Sequence, residues 1–104
     1  MIDLKQLQKD IYKDKLNKGF NVTDINKEFC LTYGEMAETY EAWRKKQTDV
    51  GEEIADVVIY LLGLSEILNV DLENEILKKV NKNKHRQYKI IDGVNTRVKE
   101  YGEE

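Results

Sequence analysis

The chain has 104 residues, 17 of them basic and 20 acidic, for a net charge of −3. That length suits a single domain over residues 1–104 with one thin core. The acidic balance excludes a binder of nucleic acid polymer held by excess Lys and Arg. With no Pro, 6 Gly and one Cys, turn-dense β architectures, collagen-like chains and disulfide scaffolds are excluded as well. The lone Cys30 points to a reducing, cytoplasmic setting and reads as a small buried hydrophobe. The longest apolar run, Val57 to Leu64, is too short to span a bilayer, and Met1-Ile2-Asp3-Leu4-Lys5 does not read as a signal peptide.

Periodicity and caps predict four helices in chain order. The first starts near Asp3, carries Leu4, Leu7 and Ile11 inward, and stops at Gly19. The second opens after Thr23 and runs through Ile25, Phe29, Met36, Tyr40 and Trp43, fading in Lys45-Lys46-Gln47-Thr48. The third begins with an expected capping box, Asp49 with Glu52 three residues on. It continues through Ile54 to Leu68, apolar on most sides, as a central helix would be. The fourth is expected to be capped by Asp71 and to run from Leu72 to about Arg86. After it, Tyr88–Ile91, Asp92-Gly93 and Val94–Val98 read as a β-hairpin about a type I′ turn. The fold class is therefore all-α, a four-helix antiparallel bundle with a short C-terminal β-hairpin. An isolated hairpin is marginal in water, so this one should pack on the bundle or on another subunit.

Two acidic pairs carry the chemistry. Glu35 with Glu38, and Glu53 with Asp56, are each spaced i,i+3 and so share a helix face. Leu31, Glu35, Glu38 and Ala42 form one stripe of the second helix. Glu53, Asp56, Tyr60, Gly63 and Ile67 form one stripe of the third. The midpoint between Glu38 and Glu53 falls near Lys45 and Lys46, inside the predicted turn. Antiparallel helices hinged there bring all four carboxylates face to face, with Asp56 expected to be cut off from water. Like charges that close call for a cation, and an all-oxygen set suits Mg²⁺ or Mn²⁺. The absence of a Glu-x-x-His pair argues against a di-iron bundle. The competing account is plain: acids in a first turn favour the helix dipole without any function, and Glu35 and Glu38 would then be a solvated face.

Between Glu75 and Asp92 lie six basic residues with no acid among them. Lys79, Asn83 and Arg86 share a face with Leu72 and Ile76, a cationic stripe suited to phosphate oxygens. The alternative is a dipole-driven accumulation of cations near a helix C-terminus. Trp43 offers a flat face for a base, or core packing. Tyr60 offers a hydroxyl to a sugar, or core packing. His85, within the basic run, reads as surface.

Taken together, these elements resemble the MazG-like family of all-α nucleoside triphosphate pyrophosphohydrolases over roughly residues 18–88. Its split acidic motif is matched by Glu35-Met-Ala-Glu38 and Glu53-Ile-Ala-Asp56, with 14 residues between. Its Lys-x-x-x-Asn-x-x-Arg element is matched by Lys79-Val-Asn-Lys-Asn83-Lys-His-Arg86. Gly34 stands where the first motif often has a leading glutamate. The resemblance implies hydrolysis of a (deoxy)nucleoside triphosphate to the monophosphate and pyrophosphate with Mg²⁺, in nucleotide-pool housekeeping. It implies Glu35, Glu38, Glu53 and Asp56 as metal ligands, and Lys79, Asn83 and Arg86 as phosphate or sugar contacts; a nearby carboxylate, Glu38 or Glu35, is the catalytic candidate to take the proton of the attacking water, with the choice between them open. Tyr60 and Trp43 are the further substrate-binding candidates, with Phe20 a second aromatic near the base. It also implies a homo-oligomer, dimer or tetramer. The alternative is a non-catalytic helical module on the same bundle that binds a nucleotide or a protein.

Overall fold

Helix ends in this chain are set by local chemistry, and the computed structural model, which describes residues 1–99, shows how. Asp3 caps α1 (Leu4–Asn17) by accepting from the Gln6 backbone N–H, and Asp24 caps α2 (Ile25–Arg44) by accepting from Lys27. Each relieves one of the unpaired N–H groups of a first turn. α3 spans Val50–Ile67 and α4 spans Leu72–Lys84.

The C-termini of the first three helices close in the same way. Phe20 donates back to Lys15 and Gly19 to Leu16. Gln47 donates to Ala42 and Lys46 to Trp43, while Val70 donates to Ser65 and Asn69 to Glu66. This paired return of N–H groups needs a left-handed residue just past the helix. Gly19 (φ 70°), Lys46 (φ 54°) and Asn69 (φ 58°) provide it. Gly19 ends α1 as its sequence predicts, and the α2–α3 turn falls at Lys45–Gln47, the predicted hinge.

Two predicted details differ. Asp49 precedes α3 but its side chain makes no cap bond, so the capping box with Glu52 is not formed. α4 ends at Lys84, so Arg86 lies beyond the helix rather than on its last turn.

The chain divides into two compact units, Met1–Leu72 and a second that begins at Glu73. In the first, α3 packs against both α1 and α2, the central place its apolar body predicts. The five-residue connection between α2 and α3 makes those two antiparallel neighbours. The buried apolar side chains among the described residues are Ala42, Val57, Leu62 and Leu64. At roughly 1.5–3 kcal/mol for each large one, that is a small core. Buried polar groups reinforce it. Gln8 donates to Glu66 (2.8 Å) and to the Val70 carbonyl (2.7 Å), tying α1 to the end of α3. In the second unit, β1 (Gln87–Ile91) pairs antiparallel with β2 (Val94–Lys99), with a bulge at Gln87/Tyr88. Asp92 (φ 52°) and Gly93 (φ 78°) form the two-residue turn, both left-handed as type I′ requires.

Much apolar surface stays uncovered within the chain. Phe29, Tyr33, Met36, Tyr40 and Trp43 form an exposed stripe on α2, and Ile54, Val58 and Leu61 form another on α3, with Leu68 exposed just past its end. Every residue of β1 is exposed. Cys30 is exposed as well, against its expected burial, because the buried stripe of α2 runs through Glu28 and Ala42 and leaves residue 30 outside it.

Candidate metal centre and adjoining groove

The antiparallel pairing of α2 and α3 sets the two acidic motifs against each other. The Thr39 hydroxyl bridges the helices there, 2.9 Å from the Glu35 carbonyl and 3.1 Å from the Glu53 carbonyl. That link fixes the height of one motif relative to the other. Glu35, Glu38 and Glu53 each bring a carboxylate oxygen within 4.8 Å of the other two. Asp56 is not part of this close group, and it is exposed rather than cut off from water. A shared helix face brings residues within range of one another but leaves their burial to the neighbouring helix, and here that neighbour does not cover residue 56. Its charge nevertheless reaches Glu35 and Glu53.

The electrostatics are those of crowded like charge. Partial burial, then the charges of Glu38, Asp56 and Glu53, push the Glu35 carboxyl above the usual glutamate range. Loss of water, then the charges of Asp49, Glu38 and Asp56, do the same for Glu53. Glu53 Oε2 is also buried with no hydrogen-bond partner. A buried carboxylate oxygen left unpaired is costly. An all-oxygen donor set with such an orphan fits a hard divalent cation, to which Glu35, Glu38 and Glu53 would be ligands, with Asp56 alongside.

One turn beyond Asp56, Tyr60 continues the α3 stripe. Burial first, then the charges of Glu35, Glu28, Asp56 and Glu38, raise its pKa, so its hydroxyl keeps its proton and remains a donor. Tyr60 lines a groove of about 430 Å³ together with Ile11, Lys15, Lys18, Phe20 and Ile59. It also lines a second hollow of about 320 Å³ with Phe20, Asn21, Glu28 and Leu31. Trp43 sits elsewhere. It is 66% exposed on the outer stripe of α2, with its ring 6.2 Å from that of Tyr40, so it is not core.

Lys79, Asn83 and Arg86 belong to the second unit. Lys79 and Asn83 are on α4, and Arg86 donates to the Asn83 side-chain oxygen at 3.0 Å. His85 Nδ1 lies 2.8 Å from the Asn81 carbonyl on the exposed surface.

Sequence reasoning missed three contributors. Thr39 is a helix-interior threonine with no distinguishing pattern. Lys15 and Glu28 form an ion pair at 2.9 Å, and Glu28 is 1% exposed. The signal for Glu28 was present, since it extends the Leu31-Glu35-Glu38-Ala42 stripe by one turn. Its partner on α1 was not legible.

No helix among the described residues is long and apolar enough to cross a membrane. Neither the search of curated proteins nor that of solved structures finds a match. The sequence profile of the MazG-like family, which is associated with nucleoside triphosphate pyrophosphohydrolases, matches residues 27–103, a span that contains both acidic motifs and the Lys79–Arg86 element. With three-quarters of its length matched in this way, the chain belongs to the MazG-like family.

Proposed function

We propose that this protein hydrolyses a (deoxy)nucleoside triphosphate to the monophosphate and pyrophosphate with Mg²⁺, as a nucleotide-pool enzyme. The observation that carries the reading is the Glu35–Glu38–Glu53 cluster with its orphaned Glu53 Oε2, in a chain of this family. When bound, the cation would neutralise phosphate oxygens and acidify a water for attack at phosphorus. The chain's own residues supply the rest. Glu38, the exposed member of the cluster, accepts the proton of the attacking water in this reading. The Tyr60 hydroxyl donates to the sugar or its phosphate. In the second unit, Lys79, Asn83 and Arg86 are donors of the kind that bind phosphate oxygens through charge-assisted hydrogen bonds, the role the family resemblance gives them. The groove walled by Phe20 and Tyr60 takes the base in place of Trp43.

The same proposal includes a homo-oligomer. Apolar stripes on α2 and α3 and an exposed hairpin leave more apolar surface than a small core offsets, and a second copy of the chain would cover it. The exposed single Cys30 suits a reducing cytoplasm.

Pyrophosphate release from a panel of ribo- and deoxyribonucleoside triphosphates, with and without Mg²⁺, tests the activity. Metal-dependent release is expected, and its loss in Arg86→Ala should exceed any loss of monophosphate binding. A chain that binds nucleotides in the presence of Mg²⁺ without cleaving any would be a binding module instead.

A further inference from the structure

Both aromatic rings of the groove carry an ammonium group. Lys15 Nζ lies 5.3 Å from the centre of the Tyr60 ring, and Lys18 Nζ lies 5.9 Å from that of Phe20. The two cations are held very differently. Lys18 is 56% exposed and pairs with Asp14 across one turn of α1, an arrangement that yields easily. The Lys15 side chain is 12% exposed and donates to Glu28 Oε2 at 2.9 Å. Glu28 is itself 1% exposed, and its other oxygen accepts from Asn21 Nδ2 at 3.2 Å. The stem of Lys15 runs across α3 at Gly63, where a Cβ would stand 3.2 Å from Lys15 Cδ. A flat ring entering the groove can therefore displace Lys18 from Phe20 but not Lys15 from Tyr60. Phe20 presents the open stacking face, and Lys15 is a fixed cation beside it.

We propose that Lys15 is a substrate-binding residue for the base: a fixed donor to a ring nitrogen or carbonyl oxygen of a nucleobase stacked on Phe20, with Glu28 as the positioning residue that holds its ammonium in place. This rests on the nucleotide hydrolase reading above. An ammonium carries three N–H donors, and Glu28 is the one hydrogen-bond acceptor for Lys15 among the described residues. Lys15, Phe20 and Tyr60 line both hollows, the space a base would fill. The polarity of the site follows. Glu28 lies seven residues before Glu35 on one stripe, about 10 Å along the helix, close to the span from a base to its first phosphate. With the phosphates drawn to a cation at the Glu35 end, the Glu28 end is left for the base. Stacking accepts every base, and each base has an acceptor, so Lys15 gives affinity for nucleobases as a class.

The test is the paired variant Lys15→Met with Glu28→Gln, which removes both charges together and leaves no buried ion unpaired. Two readouts are taken: KM and kcat for Mg²⁺-dependent pyrophosphate release, and calorimetric binding of adenosine and cytidine without metal. Loss of one charge-assisted bond predicts about a tenfold rise in KM, about a tenfold weaker nucleoside affinity, and an unchanged kcat. Gly63→Ala keeps every charge but crowds the Lys15 stem, and it should raise KM in the same sense if the paired variant fails to fold. A folded variant with wild-type KM and nucleoside affinity, or one that loses kcat alone, overturns the proposal, as does a parent protein that binds neither nucleoside. A parent that binds nucleosides but releases no pyrophosphate from any triphosphate overturns the hydrolase reading instead, and the nucleoside measurement then decides the role of Lys15.

Discussion

Lys15 and Glu28 meet at 2.9 Å across the groove between α1 and α2, and their side chains are 12% and 1% exposed. Both helices pack on α3, and this ion pair joins them directly to each other. Taking one charge away leaves the other buried without its counter-charge. Glu28→Ala should therefore cost about 3–5 kcal/mol in unfolding free energy, whereas Lys15→Met combined with Glu28→Gln should stay within about 1 kcal/mol of the parent. Urea denaturation of the three proteins checks this. Similar losses in the single and paired variants would mean that packing, not charge, dominates.

At the carboxylate cluster the sign is opposite. Glu53→Gln removes like charge and gives the orphaned oxygen's site a neutral group. The metal-free variant should melt at or above the parent's temperature while losing turnover by orders of magnitude. Added Mg²⁺ should raise the melting temperature of the parent, because a ligand bound only to the folded state stabilises it, and should leave that of Glu53→Gln nearly unmoved. An equal Mg²⁺ response in both proteins would remove Glu53 from the ligand set.

The pH dependence follows from the same crowding. Folding raises the pKa of Glu35 and of Glu53 above their unfolded values. Protons are held more tightly in the folded state, so the stability these groups contribute is fully present below the unfolded pKa. It is lost as pH rises through the folded pKa. Glu41 runs the other way, lowered chiefly by its hydrogen bond to Arg44, but it lies at an exposed pair and counts for little. Without metal, the melting-temperature advantage of Glu53→Gln over the parent should grow from about pH 4 towards neutrality. A constant difference across that range would contradict the assignment.

Lys46 holds a left-handed backbone (φ 54°) just past the end of α2, a conformation in which the β-carbon of an L-residue is crowded by the backbone. That conformation costs a non-glycine residue roughly 1–2 kcal/mol, offset in glycine by its freer unfolded chain. Lys46→Gly should stabilise the protein by about 0.5–1 kcal/mol, a rise of a few degrees in melting temperature. Asn69→Gly should gain less, since asparagine tolerates this region. A loss of stability in Lys46→Gly would point to an interaction of the lysine side chain.

What the amino-acid sequence determined by itself is the part that rests on short-range chemistry. The Asp3 cap, the Gly19 stop and the Asp92-Gly93 turn each depend on groups within five residues of one another. The meeting of Glu35 and Glu38 with Glu53 was legible for a related reason. A short connection leaves two helices little choice but to run antiparallel, and the stripes then face each other. Tertiary structure alone decided which members of a stripe are covered. Periodicity says that Glu53 and Asp56 share a face, not that the neighbouring helix shields the first and leaves the second in water. It places Glu28 in line with Glu35, but only α1, folded back over Gly63, brings Lys15 to it and makes burial of that carboxylate affordable. Cys30 and Trp43 are outside for the same reason: each is apolar enough to be buried, and no element of the first unit reaches their side of α2.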